Sequence, residues 1–429
     1  MRIQGPVKGV LGKIRVPSDK SVSHRAVILG SLARGKTRIR KWLTSEDTLA
    51  TLNIIRSLGT QVEREGGDLV VEGRNFEFEE PKNVLDAKNS GTTARILMGV
   101  LSTQEFFSVI TGDESLRNRP MGRVTEPLRR MGASIDGREG GERLPVAVRG
   151  GKLKGLDHFN EKSSAQVKSA LLIAGLRAEG RTSVTEPVKS RDHTERMLRA
   201  FGVEVEESKT ERGFCVSVGG GKTLEGTEIL CPADPSSASF FVALCLLSGG
   251  ELTLEEVLVN PTRDGFFRKV KEMGAEVRYE NLREVSGEPV ADIYVRYSGR
   301  LKGVKVLPEE VPSLIDEIPI LAVLMALAEG TSEVRGAREL RFKETDRISV
   351  VVENLRSMGA KVEELEDGFV IEGVERLRGS RIRTRSDHRI AMAFTVAGLV
   401  AEGETLIDDP ECVRVSYPDF FVDLKKVTL

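Results

Sequence analysis

Two patterns of apolar and polar positions alternate along the chain. In the first, an amphipathic helix ends in basic-x-apolar-Gly and an alternating strand follows. It reads RSLGTQVE (56–63), RRMGASID (129–136), RAFGVEVE (199–206), KEMGAEVR (271–278) and RSMGAKVE (356–363). Glycine suits the left-handed position that closes a helix, so Gly59, Gly132, Gly202, Gly274 and Gly359 mark helix ends. In the second pattern a nearly all-apolar helix meets a Gly or polar stop and then a short strand. It reads VILGSLARGKTRIR (27–40), LLIAGLRAEGRTSVTE (171–186), FVALCLLSGGELTLEE (241–256), LAVLMALAEGTSEVRG (321–336) and FTVAGLVAEGETLIDD (394–409). ILMGVLSTQEFFSVIT (96–111) is a weaker copy. The marker glycines lie 73, 70, 72 and 85 residues apart. This period predicts six supersecondary units of roughly 70 residues each. Strands and two helices per unit predict an α/β fold, and six units suit two domains of three. ILCPADPSSAS (229–239) is the best candidate for a boundary, with two prolines before a capping cluster.

The repeat also disposes of a false motif. GSLARGKT (30–37) fits the phosphate-binding G-x-x-x-x-G-K-[ST]. Such a loop follows a strand and opens a helix. Here an apolar helix pattern comes before it and a strand pattern, TRIRKW, comes after. The sister copies RAEGRT, LSGGEL, LAEGTS and VAEGET occupy the same slot. The stretch is helix-to-strand punctuation, and a nucleotide kinase is a poor reading.

Composition narrows the class further. With 64 Lys+Arg against 65 Asp+Glu, the net charge of −1 gives no global pull toward nucleic acid or acidic membranes. Any anion site must come from local clustering. Cys215, Cys231, Cys245 and Cys412 form no C-x-x-C, and only four histidines accompany them. Neither a zinc site nor a disulfide framework is expected, and reduced thiols fit a cytoplasmic protein. The amino-terminal stretch lacks a signal-peptide apolar core, and the longest apolar run, 318–328, is too short to span a bilayer.

The informative residues are those that depart from the repeat, and most sit at helix starts. PSDKSVSHR (17–25) places Ser18 or Asp19 as a cap, with Lys20, Ser21 and Arg25 in the first turns. A helix start bearing hydroxyl and basic groups binds anions; a capped helix with solvated charges is the plain alternative. His24 reads as a packing or surface polar residue rather than a base. KNSGTTAR (88–95) is a glycine turn where backbone could approach a ligand, supported by Arg95 or its neighbours. TGDESLRNRPMGR (111–123) offers Arg117, Arg119 and Arg123 for a phosphate or carboxylate. EKSSAQVKSALLIAG (161–175) and KSRDHTERM (189–197) add Ser, Gln and Arg191. DEIPILAVLMALAEG (316–330) opens with Asp316 and Glu317, which in isolation read as dipole partners or caps. RFKETDRIS (341–349) packs Lys343, Glu344, Asp346 and Arg347, either a salt-bridged face or acid–base machinery. SDHRIAM (386–392) puts Arg389 on a helix start. RIRTR, preceding it, alternates like an edge strand and lacks the aromatics of a nucleic-acid surface. Five or more such helix starts, if they converge, make a strongly positive site for small, multiply anionic ligands.

Taken in order, PSDKSVSHR, KNSGTTAR, RNRP, SSAQVKSALL, SRDHTERM, DEIPILA, FKETDR and SDHRIAM span nearly the whole chain. Together they closely resemble the EPSP synthase family, the 3-phosphoshikimate 1-carboxyvinyltransferases. The resemblance implies two similar domains, each of three βαβαββ units (the enolpyruvyl transferase fold), with the active site in the cleft between them. It implies an amino-terminal-type domain over 18–231 and a carboxy-terminal-type domain of 1–17 plus 232–429. The implied reaction joins phosphoenolpyruvate to the 5-hydroxyl of shikimate 3-phosphate through a tetrahedral intermediate and releases phosphate. No cofactor or metal is implied. Carried over motif by motif, Lys20, Ser21, Arg25, Ser163, Ser164, Gln166, Arg191, Asp316 and Lys343 would hold shikimate 3-phosphate. Lys20, Gly91, Arg119, Gln166, Arg347 and Arg389 would hold phosphoenolpyruvate. Asp316, with Lys343, would take the hydroxyl proton, and either Glu344 or Lys20 would handle the proton at the methylene carbon. That reverses the plain reading of Asp316 and leaves Glu317 a cap. A monomeric enzyme with no nucleic-acid or membrane partner is expected.

Ala165, the surroundings of Arg191, Glu339 and Val415 depart from the best-known bacterial form and resemble the enzyme's second sequence class. Gly91 leaves room beside phosphoenolpyruvate, so glyphosate is expected to compete there. Two rivals remain. A UDP-N-acetylglucosamine enolpyruvyl transferase would carry a loop cysteine where Glu114 stands. A non-catalytic anion-binding paralogue would have lost Asp316, Lys343 or Glu344, and all three are present.

Overall fold

Each of the five marker glycines has a left-handed backbone in the computed structural model of residues 1–429, with φ of 88° at Gly59, 116° at Gly132, 83° at Gly202, 95° at Gly274 and 91° at Gly359. Glycine meets no Cβ penalty there, so each helix stops and the chain turns into a strand. Thirteen helices result: α1 Lys20–Leu32, α2 Glu46–Ser57, α3 Gly91–Leu101, α4 Glu114–Arg117, α5 Gly122–Met131, α6 Ala165–Gly175, α7 His193–Ala200, α8 Pro235–Ser248, α9 Gly265–Glu272, α10 Ile318–Leu327, α11 Arg347–Ser357, α12 His388–Val400 and α13 Phe420–Val427. The GSLARGKT stretch runs from the end of α1 into the strand Lys36–Arg40, which is helix-to-strand punctuation.

There are six small sheets, and five share one plan. An outer strand pairs in parallel with a central strand, and an antiparallel hairpin completes the other side. In one, Glu228–Leu230 runs parallel to Lys36–Arg40, which pairs antiparallel with Asp68–Glu72, itself paired with Val62–Glu65. The sixth sheet has three strands. Arg381–Ile382 runs parallel to Gly403–Ile407, and Arg2–Gly5 closes the other side antiparallel.

The chain forms two compact units. The N-unit is Ser18–Cys231 with Val285–Glu288; the C-unit is Met1–Pro17, Pro232–Glu284 and Pro289–Leu429. Each holds three of the six sheets and one hydrophobic core. The helices of the apolar series supply the cores. In α1, every residue from Val22 to Leu32 is buried, as is Ile318–Ala326 of α10. A helix apolar on all sides has to be enclosed. α1, α3 and α6 pack together in the N-unit, and α8, α10 and α12 in the C-unit. The amphipathic series (α2, α5, α7, α9 and α11) keeps one exposed face. No helix is long and apolar enough to cross a membrane.

Side-chain caps set where several helices begin. Asp19 accepts from Val22 N (2.7 Å), Ser90 from Thr93 N (3.1 Å), Asp234 from Ser236 N (2.7 Å), Asp346 from Ser349 N (3.1 Å) and Asp387 from Arg389 N (2.9 Å). Glu317 departs from its expected role. It stands at the cap position of α10, but its side chain makes no cap bond and instead accepts from the Ser236 hydroxyl on α8. A carboxylate that reaches a neighbouring helix joins two helix starts rather than finishing one.

Candidate active site

In the N-unit the first turns of α1, α3, α6 and α7 are laced together by side chains from the quoted motifs. Lys20 opens α1, and its Nζ lies 2.7 Å from Asp47 Oδ2 in the first turn of α2. Arg25 is buried one turn on. Its Nε donates to Thr194 Oγ1 (2.8 Å), its Nη2 to Ser169 Oγ (2.9 Å) and its Nη1 to the Ser21 carbonyl (3.0 Å). Arg95 of α3 donates to Gln166 Oε1 of α6 (2.7 Å) and to the Pro120 carbonyl (3.0 Å), while Gln166 Nε2 donates back to Thr92 Oγ1 (2.9 Å). Arg119 donates to Asn89 Oδ1 (2.8 Å), Ser115 Oγ (3.2 Å) and the Asn89 carbonyl (3.3 Å). Gly91 sits against both arginines. A Cβ there would lie 2.8 Å from Arg95 Nη1 and 3.5 Å from Arg119 Nη1.

Ser163 and Ser164 lead into α6, half-buried. Ser163 has a left-handed backbone (φ 48°), and its Oγ accepts from Val188 N (3.2 Å). Ser164 N donates to Asn160 Oδ1 (3.3 Å), whose amide group donates to Glu186 Oε1 (2.9 Å). Arg191 lies half-buried in the loop before α7. Beneath this loop Lys168 Nζ is enclosed between Glu195 Oε1 (2.7 Å) and Glu186 Oε2 (3.0 Å), all three side chains at most 2% exposed. Burial opposes the Lys168 charge, but Glu195 and Glu186 outweigh it and hold its pKa above the usual lysine range. Burial pushes the Glu195 carboxyl up.

The C-unit gathers a different set. Arg347, at the start of α11 and 1% exposed, meets three carboxylates. Its Nε donates to Asp387 Oδ2 (2.8 Å) and its Nη2 to Asp387 Oδ1 (3.2 Å), a bidentate pair. The same Nη2 donates to Glu344 Oε2 (2.6 Å), and Nη1 reaches Asp316 Oδ1 at 3.4 Å. Asp316 also faces Lys343 Nζ and Arg389 Nε, each at 3.7 Å. Burial disfavours the guanidinium charge, yet Asp387, Glu344 and Asp316 together raise its pKa, so it is permanently charged.

The structure thus brings Asp316, Lys343, Glu344, Arg347 and Arg389 into one ionic cluster in the C-unit. In the N-unit it links Lys20, Ser21, Arg25, Gly91, Arg119 and Gln166 around the helix starts, and places Ser163, Ser164 and Arg191 on the adjoining loops. Two acids in these contacts escaped the reading of the sequence, Asp47 and Asp387. Both lie at helix starts, where acids ordinarily read as caps or dipole partners. Asp387 is a cap as well as the partner of Arg347, so its one visible signal concealed its second contact. Chemically the arrangement supplies fixed cations for more than one anionic group, and carboxylates able to exchange protons with a neighbour.

A family profile described as EPSP synthase (3-phosphoshikimate 1-carboxyvinyltransferase) matches residues 4–424. The chain is 64% identical over 422 residues to a 3-phosphoshikimate 1-carboxyvinyltransferase of Aquifex aeolicus, covering 98% of each chain. It is 54% identical to the protein of that name from Persephonella marina, again covering 98% of each. Among solved structures it is similar to an EPSP synthase from Acinetobacter baumannii, with a TM-score of 0.86 and 44% identity over 100% of this chain and 97% of the other.

Proposed function

The chain belongs to the EPSP synthase family, and we propose that the two side-chain clusters above are the binding and proton-transfer groups for that family's reaction. The enzyme transfers the enolpyruvyl group of phosphoenolpyruvate to the 5-hydroxyl of shikimate 3-phosphate and releases phosphate, on the route to chorismate and the aromatic amino acids. Relatives of 64% and 54% identity bearing that activity's name leave the nucleotide-sugar alternative unfavoured.

Ser21, Arg25, Ser163, Ser164, Gln166 and Arg191, with Lys20, Asp316 and Lys343, hold shikimate 3-phosphate. Lys20, Gly91, Arg119 and Gln166, with Arg347 and Arg389, hold phosphoenolpyruvate. Asp316 takes the proton of the attacking hydroxyl as its oxygen bonds to the central carbon of phosphoenolpyruvate. Either Glu344 or Lys20 delivers a proton to the methylene carbon, and one is recovered from the resulting methyl group when the bond to phosphate breaks. The two steps need proton traffic in opposite directions at one carbon, which suits a carboxyl that is charged in one step and neutral in the next. Holding two anions against their repulsion is the other requirement, and fixed cations meet it. The observation that carries this reading is the convergence on Arg347. Asp316 and Glu344, 28 residues apart in the sequence, meet one buried guanidinium, with Lys343 and Arg389 beside them.

The protein acts as a cytoplasmic monomer, and glyphosate competes with phosphoenolpyruvate at Gly91. The test is phosphate release. It requires both phosphoenolpyruvate and shikimate 3-phosphate; release with UDP-N-acetylglucosamine in place of the shikimate ester would overturn the assignment.

A further inference from the structure

Behind the anion-binding face of the N-unit runs a buried line of hydrogen bonds that the roles above leave unused. α1 and α2 are joined by two rungs. One is Lys20–Asp47; the other, one turn further in, is His24 Nδ1 with Thr51 Oγ1 at 2.7 Å. Lys20 and His24 are four residues apart on α1, as are Asp47 and Thr51 on α2, so the rungs stack on one face of each helix. From Thr51 the line enters α3. Thr51 Oγ1 lies 2.6 Å from Thr93 Oγ1, and the Thr93 hydroxyl donates to Ser90 Oγ (2.7 Å). Ser90 is the α3 cap and directly precedes Gly91. None of the four side chains is more than 1% exposed.

Counting protons gives the line a direction. A hydroxyl has one proton to donate. Thr93 gives its proton to Ser90, so Thr51 must give its own to Thr93, and His24 must give its Nδ1 proton to Thr51. His24 Nε2 is buried with no hydrogen-bond partner, so it holds the lone pair of a neutral ring. A second ring proton there would bury an unpaired N–H and a charge between Lys20 and Arg25. Burial first, then Lys20 and Arg25, depress the His24 pKa well below its usual value, against a smaller opposing pull from Asp19. An apolar residue would fill the same space but could not start a one-way chain.

We propose that His24 is a positioning residue for the phosphoenolpyruvate subsite: a neutral Nδ1–H imidazole whose chain through Thr51 and Thr93 to Ser90 holds the α3 start at Gly91 in register with Lys20. This rests on the reading of Gly91, Lys20 and Arg119 as phosphoenolpyruvate groups.

Long-range proton–nitrogen spectra of the enzyme carrying labelled histidine test the ring. One of the four histidines should show the Nδ1–H pattern unchanged from about pH 5.5 to 8, a range where an ordinary imidazole titrates, and that signal should vanish in His24→Asn. In kinetics, His24→Phe should raise KM for phosphoenolpyruvate about threefold to tenfold, with KM for shikimate 3-phosphate unchanged. Thr51→Val should do the same, and the double variant should do no more than either. His24→Asn, whose side-chain amide can donate to Thr51, should restore most of the loss. Should His24→Phe fail to fold, Thr51→Val carries the kinetic test. An Nε2–H or titrating ring at His24, or an unchanged KM for phosphoenolpyruvate in Thr51→Val, overturns the proposal. Arg119→Ala separates the two failures. If it raises that KM while the His24 and Thr51 variants do not, only the positioning role falls; if it too has no effect, the subsite assignment falls.

Discussion

The two clusters keep their arginines in different company. In the N-unit, Arg25, Arg95 and Arg119 are steered by hydroxyls, amide oxygens and main-chain carbonyls. In the C-unit, Arg347 is ringed by three carboxylates, and one of them, Asp316, is shared with Lys343 and Arg389. These hydroxyls, amide oxygens and carbonyls aim a planar fork that suits phosphate or carboxylate. A guanidinium matched by carboxylates does something else. It fixes those carboxylates in place, and so governs which of them can face a proton to be moved. The contrast separates gripping, mostly in one unit, from acid–base chemistry, mostly in the other. Lys20 is the crossover, a cation of the gripping unit paired with a carboxylate.

If that division is right, breaking the carboxylates should hurt turnover most. Asp316→Asn and Glu344→Gln should each lower kcat by about 10² to 10⁴-fold, the usual worth of a general acid or base, with KM values much less changed. Steady-state kinetics on each purified variant check this, and a loss confined to KM would erase the contrast. Next comes Arg347→Met, which strands the buried Asp387 and the partly exposed Asp316 and Glu344. It should cost about 3–5 kcal/mol of stability, as for other broken buried ion pairs, read from urea unfolding. A variant as stable as the wild type would mean the ring of carboxylates relaxes without its centre.

On the gripping side the effects should be smaller and fall on affinity. Gly91→Ala places a methyl 2.8 Å from Arg95 Nη1, the far end of a flexible chain that can yield but is held by Gln166 and the Pro120 carbonyl. The expected result is an increase of about tenfold in the glyphosate concentration needed for half inhibition, near 1.4 kcal/mol, with a smaller rise in KM for phosphoenolpyruvate. Unaltered inhibition would remove Gly91 from the anion site. Smallest is an acid effect on stability. The His24 pKa is depressed in the folded state, so its contribution is present above the unfolded value of about 6.5 and lost as pH falls below it. Unfolding midpoints of the wild type should drop over that range more than those of His24→Asn.

The architecture was largely legible because its punctuation is local. A basic-x-apolar-Gly end reports a left-handed residue wherever it occurs, and an all-apolar helix reports its own enclosure. Strand partners were not legible. Glu228–Leu230 pairs in parallel with Lys36–Arg40, and Val10–Ile14 with the strand Gly250–Leu258, across separations that no local pattern encodes. At the site, physics alone identified anion-friendly helix starts, while individual roles came from the ordered motifs. Lys168 shows the remaining gap. In SSAQVKSALL it looks like a solvated lysine on a helix, yet it is buried between Glu186, at the end of the strand Arg181–Glu186, and Glu195, in the first turn of α7.

The three-stranded sheet carries a consequence for how the protein is made. Arg2–Gly5 leaves the ribosome about 400 residues ahead of its partner, Gly403–Ile407. At about 5–20 residues per second, that strand waits tens of seconds for a place to dock. Meanwhile all of Ser18–Cys231 is synthesised and can begin to form its own core. The nascent C-unit therefore carries an unpaired strand until that partner is made, and a factor that shields unpaired strand edges during synthesis would act on this segment.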